Sequence, residues 1–447
     1  MTRVPPASVA PLVLVVGLCL VAGGSAEPGI TALVGRIAAV GIPEAGAVSA
    51  VGRFHPGGPF SDKPASRAFT RPGAVLDPDR VLVASSSNFG APIARREHPQ
   101  GAVLSVDATG HELIRVPPNF AASGGQATAL AGRVILYTAN SPDFLNRICN
   151  PGAVTADHPS VSHPTGISIN HAFGRIWVTS APSGVMGAGV HAILDPDGRP
   201  LEEAPNHTAG GIFFGALTNR SPQRVPGSMA FGALATAFLG KSPDGSGRAV
   251  FAGLHADGSL VQVHAAEGVD GLAACDTIPR RTTGAPATRA GMVFNWVPNA
   301  ILYVADPAGN SIVVLTLRTD SHTFRVERTR RLTASALDVP VDIAPAVAEV
   351  GSPVFSSNTT LAGGADLYVA NRGNGTIVRL TQDGVVVAIR RVAVSGLPDL
   401  GADRLNGIGV SPDAGHLWIT VTGSLPGYPE GALIELPAFG ASSSPRP

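Results

Sequence analysis

Short apolar runs recur along the chain, and each is apolar at consecutive positions instead of alternate ones. They read "VLVAS" from Val81, "ILYT" from Ile135, "IWVTS" from Ile176, "AVFAGL" from Ala249, "ILYVAD" from Ile301, "LYVAN" from Leu367 and "LWITV" from Leu417. A strand with one face in water alternates apolar and polar side chains. A run apolar on both faces belongs to a strand covered on both sides. Before several runs stands a shorter strand pattern with small residues at its start: "HPTGISIN", "GMVFNWVP", "VPVDIAPA" and "LNGIGVSP". After several comes a polar turn and then an alternating strand. The clearest is "GTIVRLTQDGVVVAIRRV", where Thr376, Val378 and Leu380 point one way and Ile377, Arg379 and Thr381 the other. Asp383-Gly384 then turns the chain, because both positions of a tight hairpin tolerate positive φ. "DATG", "DPDG" and "HADG" repeat the device at Asp107, Asp195 and Asp257.

One unit thus reads entry strand, turn, buried strand, turn, alternating strand, Asp-Gly, outer strand. Four antiparallel strands of this kind make a propeller blade. A blade cannot cover both of its faces alone, so the units must stack around an axis and close. The pattern predicts an all-β fold, a six- or seven-bladed β-propeller with four-stranded antiparallel blades. Seven is preferred, because seven runs read as second strands. The propeller is expected over 76–439. Residues 27–75 are expected to supply a strand that closes the last blade, from Gly29–Gly52, and a linker around Phe54–Arg71. The tail 440–447 reads as disordered.

Composition supports this picture. The chain has 54 Gly and 39 Pro, which favours many tight turns over helices. Basic and acidic residues balance at 32 each, so no electrostatic footprint for nucleic acid or an anionic surface is expected. Residues 1–26 read as a signal peptide: Arg3, the apolar "APLVLVVGLCLVAGG", and small residues before a cut after Ala26. The competing reading is an uncleaved anchor. Expected localisation is periplasmic or secreted, with no membrane span after signal removal. Removal of the signal leaves Cys149 and Cys275, which form either one disulfide or two buried thiols.

"LNGIGVSPDAGHLWITVTG" and "DLYVANRGNGTIVRL" resemble the repeats of the NHL, YVTN and SMP-30/gluconolactonase-like propeller superfamily, over about His163–Pro437. In the calcium-dependent lactonase branch that resemblance implies oxygen ligands at the entries to the inner strands. The matching positions here are Asn406 in "LNGIG" and Asp342 in "VPVDIAP" as Ca²⁺ ligands, with Asn295 in "FNWVP" and Thr165 in "HPTGI" in comparable places. The sequence departs from that branch: "HPTG" lacks the Asn or Asp, and no early Glu stands in an entry motif. The competing reading is that Asn406 and Asp342 hold turns through side-chain to backbone hydrogen bonds.

Other candidates are weaker. His158, His163 and His171 cluster in "DHPSVSHPTGISINHAF" without the spacing of a zinc motif, and His163 alone is placed to face the axis as a catalytic base. "ATAFLGKS", Ala235–Ser242, satisfies a relaxed nucleotide-loop pattern, but Pro243 forbids the helix that such a loop needs. Pro205–Gly240 reads either as a lid across one face or as a blade drawn out by weak strands. Two function classes follow. One is an exported binding or interaction module for a small molecule or an exported protein, acting as a monomer and without nucleic acid. The other is a Ca-dependent lactonase or esterase-like hydrolase, or a propeller lyase, with its site on the central axis.

Overall fold

The structure is a computed structural model. It describes residues 28–50, 80–85, 102–108, 110–117, 133–138, 164–170, 175–180, 190–194, 212–214, 233–241, 249–255, 260–264, 268–273, 291–295, 300–319, 324–346, 360–361, 366–397, 400–411 and 414–440. Among these, all regular secondary structure is strand.

After β1 (Ile30–Val40), the first sheet runs β2 (Ala45–Ala50), β3 (Arg80–Ser85), β4 (Ala102–Asp107) and β6 (Val134–Thr138), with β5 (Ile114–Arg115) set outside it against β1. The second runs β7 (Pro164–Asn170), β8 (Arg175–Ser180), β9 (Val190–Leu194) and β10 (Ile212–Phe214). The third runs β11 (Ala233–Lys241), β12 (Ala249–His255), β13 (Leu260–His264) and β14 (Gly268–Ala273). The fourth runs β15 (Met292–Asn295), β16 (Ile301–Asp306), β17 (Ser311–Thr319) and β18 (Phe324–Thr333). The fifth holds β19 (Pro340–Pro345), β21 (Leu367–Asn371), β22 (Thr376–Leu380) and β23 (Val386–Val394), while β20 (Thr360–Leu361) pairs in parallel with β15. The sixth holds β24 (Leu405–Val410), β25 (His416–Ser424), β26 (Glu430–Pro437) and β1 itself.

The first strands β2, β7, β11, β15, β19 and β24 each touch the next in this order, and β24 touches β2. Antiparallel sheets whose inner strands close a ring form a β-propeller. Among the described residues, four-strand units begin at β2, β7, β11, β15, β19 and β24, and β1 joins the last two into one larger sheet. One of the seven runs read as second strands, "ILYT" at Ile135, stands at another place in its sheet. It is instead β6, the outer strand of the first sheet, with Ile135 opposite Ser105 and Val134 opposite Val106. Val134 belongs to one core with Ala39 of β1 and Ile114 of β5.

The cores lie between sheets. One joins Val293, Tyr303 and Val314 of the fourth sheet to Ile343, Val369 and Val378 of the fifth. The next joins Tyr368 and Ile377 of the fifth to Ile408, Ile419 and Ile434 of the sixth. All five residues of β22 are therefore buried. Its alternation separates two interfaces, not an interior from water. Asp383-Gly384 forms the predicted turn, with Gly384 at φ +90°.

Closure depends on β1. Its second half pairs antiparallel with β26, from Arg36 opposite Glu435 to Val40 opposite Ala432. Its first half pairs in parallel with β23, from Ile30 opposite Ile389 to Gly35 opposite Val394. One strand thus sews the outer edges of the fifth and sixth sheets together. With β2 as the inner strand of the first sheet, the ring draws on residues well before 76.

At the axis the inner strands approach so closely that side chains are excluded. A Cβ on Gly407 would stand 2.2 Å from the Gly46 carbonyl oxygen and 2.7 Å from Thr420 Oγ1. Gly407→Ala is expected to cost about 1–3 kcal/mol through overpacking, measured by urea unfolding. Gly29→Ala, where a Cβ meets nothing within 4 Å, should leave the midpoint unchanged.

Candidate functional site

The inner strands share a local irregularity. Register shifts fall near the start of five of them: between Ala45 and Val48, Pro164 and Gly166, Ala233 and Ala235, Pro340 and Asp342, and Leu405 and Gly407. A bulge re-aims a side chain that regular pleating would send into a neighbouring sheet. Thr165, Val341 and Asn406 occupy the extra position in their strands, and Asp342 stands one residue further on.

Asn406 and Asp342 both reach across to other strands. Asn406 Nδ2 donates to the Ala45 carbonyl oxygen at 2.8 Å, joining the sixth sheet to the first. Asp342 is buried, with 3% of its surface exposed. Its Oδ1 accepts the Ile343 amide at 3.0 Å, and its Oδ2 accepts the Ile408 amide of β24 at 2.9 Å. A Cβ on Gly291 would stand 1.6 Å from Asp342 Oδ1, so the carboxylate also packs against the entry to β15. Thr420 Oγ1 donates to the Gly46 carbonyl at 2.5 Å, and the Gly291 amide donates to the Val341 carbonyl at 2.9 Å. Inner strands of a propeller leave one edge unpaired in the ladder, and buried backbone groups must be satisfied elsewhere. These bonds satisfy part of that edge.

Asn295 does not join this group. The Gly291 amide bonds Val341, so Gly291 marks the entry level of β15, while Asn295 pairs with Ile301 at the other end. Four residues of strand put about 13 Å between the two levels. β15 carries no bulge at its start, and its entry position holds a glycine, Gly291. Near Asn295, β20 pairs with the inner edge of β15 and touches β11 and β19, crossing the inner strands at that end.

At the entry end the connecting turns are tied together. The Val339 amide donates to Asn310 Oδ1 at 2.8 Å, the Gly373 amide to the Asp338 carbonyl at 3.1 Å, and the Asp403 amide to the Arg372 carbonyl at 2.7 Å. Arg372 Nε returns a bond to the Asp403 carbonyl at 3.2 Å, and Arg404 Nη1 donates to the Ser424 carbonyl at 2.6 Å. Sequence reading missed this rim. Its signal was the turn chemistry of "DPAGN" and "NRGNG", which marks turns without saying which of them meet.

His163, with His158, His171, Cys149 and Cys275, lies outside the described residues. The nucleotide-loop match falls on β11 as far as Lys241, paired with β12, so that stretch is an inner strand of a blade. Ile212–Phe214 is an outer strand of the second sheet, which accords with the drawn-out-blade reading of that part of Pro205–Gly240.

A calcium cage needs six to eight oxygens. Asp342 and Asn406 supply one carboxylate and one amide, and both Asp342 oxygens already accept amides. Among the described residues no group of three or more His, Cys, Asp or Glu comes together to hold a metal. The described donor set does not fit the ion.

Two buried tyrosines also went unnoticed, at the same place in "ILYVAD" and "DLYVAN". Burial pushes the Tyr303 hydroxyl up to about 12, opposed by the Arg330 guanidinium. Burial also raises Tyr368, opposed by Arg379.

No family model matches the chain, and no curated protein matches it significantly. Among solved structures, the chain is similar to a gluconolactonase from Xanthomonas campestris, with a TM-score of 0.44 and 11% identity over 92% of this chain and 99% of that one. It is also similar to the calcium-binding protein regucalcin from Agrobacterium tumefaciens, with a TM-score of 0.43 and 11% identity over 91% and 94% of the two chains. Likeness at this level carries no chemistry across.

Two outcomes follow from the site. Asp342→Ala leaves the Ile343 and Ile408 amides without their acceptor and should cost about 2–4 kcal/mol in chemical denaturation, with Asp342→Asn losing roughly half as much. Tyr303 is held above its ordinary pKa of 10.0, so the folded protein keeps that proton where the unfolded chain releases it. Its contribution is full below pH 10, and stability falls as pH rises from about 10 towards about 12. Tyr303→Phe should remove that part of the alkaline loss in a pH series of melting temperatures.

Proposed function

We propose that the mature chain is an exported, non-catalytic binding propeller that takes a small molecule or an exported protein partner at the axial end where the inner strands begin. One observation carries this reading. Asp342 and Asn406, near the starts of inner strands, are engaged in strand-to-strand hydrogen bonds, while the neighbouring turns are tied together. Polar groups used as staples support a rigid platform better than a reacting centre, whose acids and bases must be free to exchange protons. A rigid scaffold presenting connecting loops is the usual setting for recognition. Export rests on the leader over residues 1–26.

The second reading is a calcium-assisted hydrolase. A buried carboxylate beside the axis, Asp342, favours it. The same experiment separates the two. The mature protein, from Glu27 onward, is melted with EDTA and then with added Ca²⁺, and is assayed for hydrolysis of glucono-δ-lactone. A tight calcium site would add about 2.7 kcal/mol of stability at a hundredfold excess over its dissociation constant. The binding reading expects no shift and no turnover. It also expects a partner retained from periplasmic extract by the wild type and lost by Asn406→Arg, which sets a bulky charge at the axial end. A calcium-dependent shift with lactone hydrolysis overturns it.

A further inference from the structure

Among the described residues, the large apolar side chains that stand exposed gather at one corner of the ring. They are Ile30 and Val34 of β1, each 54% exposed, and Val385 and Val387 where the Asp383-Gly384 turn enters β23, 59% and 39% exposed. β1 runs parallel to β23, with Ile30 opposite Ile389 and Val34 opposite Ala393. Val387 lies two residues before Ile389, about 7 Å along the strand. Single exposed aliphatics are ordinary, whereas a cluster marks a contact surface. This cluster has an architectural origin. Ile389 belongs to the core shared with the fourth sheet, and paired or alternate residues of a sheet keep to one face. Ile30 and Val34 therefore continue that face. β1 is a strand added beyond β23, while the described part of the fourth sheet ends at β18, so the added strand meets no counterpart that covers it.

The same corner is basic. Val314, Thr316 and Arg318 share the face of β17 that looks towards the fifth sheet, and their partners on β18 are Arg330, Arg328 and Arg325. Arg391 stands on the facing surface of β23, opposite Ala32 of β1. Arg318, Arg325, Arg328 and Arg391 are exposed, and Arg330 keeps 38% of its side chain in solvent. The carboxylates at this corner are Glu327 of β18 and Asp383, which stands 3.7 Å from Arg330. The turn lies directly against β18: Arg330 Nη2 donates to the Gln382 carbonyl at 3.2 Å, and a Cβ on Gly384 would stand 3.3 Å from Leu332. The apolar cluster and the arginines thus form one surface. The balance of 32 basic and 32 acidic residues averages over the whole chain and conceals it. Arg318 directly opposite Arg325 is a like-charge pair, which costs stability until an anion stands before it.

We propose that this corner is a membrane-docking face, by which the propeller rests on an anionic phospholipid surface. Val385, Val387, Ile30 and Val34 enter the boundary between headgroups and acyl chains, as the apolar side of an interfacial segment does. Arg325, Arg328 and Arg391 bond lipid phosphates, and their stems lie along the apolar residues. Docking is peripheral and shallow, because the structure inserts side chains of a strand and a turn and no spanning element.

Two observations favour a lipid surface over other occupants. The first is charge: a second copy of the chain would bring the same arginines to the interface, whereas an anionic bilayer complements them. The second is the course of the chain. The apolar stretch of the leader ends at Gly24, six residues before Ile30. Fully extended, six residues reach at most about 22 Å, so a leader lying in a bilayer holds this corner, and not the axial end, beside it. The face uses no residue of the axial end and does not need the leader to be retained, so this reading and the axial one stand or fall separately.

The test is co-sedimentation of the mature protein, from Glu27 onward, with two kinds of vesicle: phosphatidylcholine alone, and phosphatidylcholine with about one-third phosphatidylglycerol. Binding is expected on the anionic vesicles, with little on the neutral ones, and it should weaken as salt is added. Val385→Asp, Ile30→Asp and Arg328→Glu should each weaken it about tenfold. These positions are exposed, and melting temperatures verify that each variant folds. Val385→Trp should strengthen binding severalfold, because tryptophan favours the headgroup level, and a gain cannot come from misfolding. The proposal is overturned by no binding to anionic vesicles, by equal binding to neutral ones, or by binding indifferent to Val385→Asp and Arg328→Glu. It is overturned as well if, without vesicle binding, Ile30→Asp abolishes a dimer in sedimentation velocity or the retention of an exported protein.

Discussion

A sheet whose strands are apolar on both faces is stable only while both faces are covered, and every other feature of this protein answers to that condition. Sheets in a ring cover one another in turn, but a ring made from one linear chain has a seam. β1 closes it by leaving the start of the described chain and pairing with β26 near its end. The unusual part is the first half of β1, which runs on to pair in parallel with β23 of the neighbouring sheet. The seam is thereby held at two outer edges. Removing water from the faces of the last sheets and ordering the first strand become a single event, since apolar area is buried only once the strand is in place.

Packing sheets around an axis crowds their inner strands. Glycine relieves the crowding where backbones meet, as Gly407 does against Gly46. The unpaired inner edges create a second demand, met by hydrogen bonds from one strand to another. Asp342, Asn406 and Thr420 supply several of these. A polar residue beside a propeller axis therefore has an architectural use that competes with any catalytic one. The two uses are told apart by where the lone pairs and protons go. In this chain both oxygens of Asp342 accept amides, one of them from a strand of the adjoining sheet.

Away from the axis, consecutive sheets turn equivalent residues towards the cores they share. Repetition gives consecutive grooves equivalent floors, as Tyr303 and Tyr368 show. What enters each groove is decided by the particular edges of its two sheets. In one, Arg379 on the third strand and the segment at Phe439 complete a buried polar knot. In the other, the arginine stands one strand further out, at Arg330, and donates to the Gln382 carbonyl of the turn that packs there. A repeated scaffold thus acquires distinct surfaces through a few substitutions at the outer positions, where packing constrains the side chains least.

Local sequence was sufficient for what depends on local pattern. Consecutive apolar positions at Ile301, Leu367 and Leu417 identified strands covered on both faces, small residues before them identified inner strands, and Asp383-Gly384 identified a hairpin turn. The run at Ile135 satisfied the same test yet is an outer strand, with Val134 in the same core as Ala39 of β1 and Ile114 of β5. Periodicity reports how many faces are covered, not by what. The candidate ligands show the same limit. Asn406, Asp342 and Asn295 looked alike in their motifs, but bulges set the register of β19 and β24 while β15 has none. A residue's height along the axis follows from that register. The partners of Asp342 and Asn406, which lie 66 and 361 residues away in the chain, exist only once the ring has closed. Strand identity was thus written in neighbouring residues, whereas the roles of the polar side chains came from contacts that only closure creates.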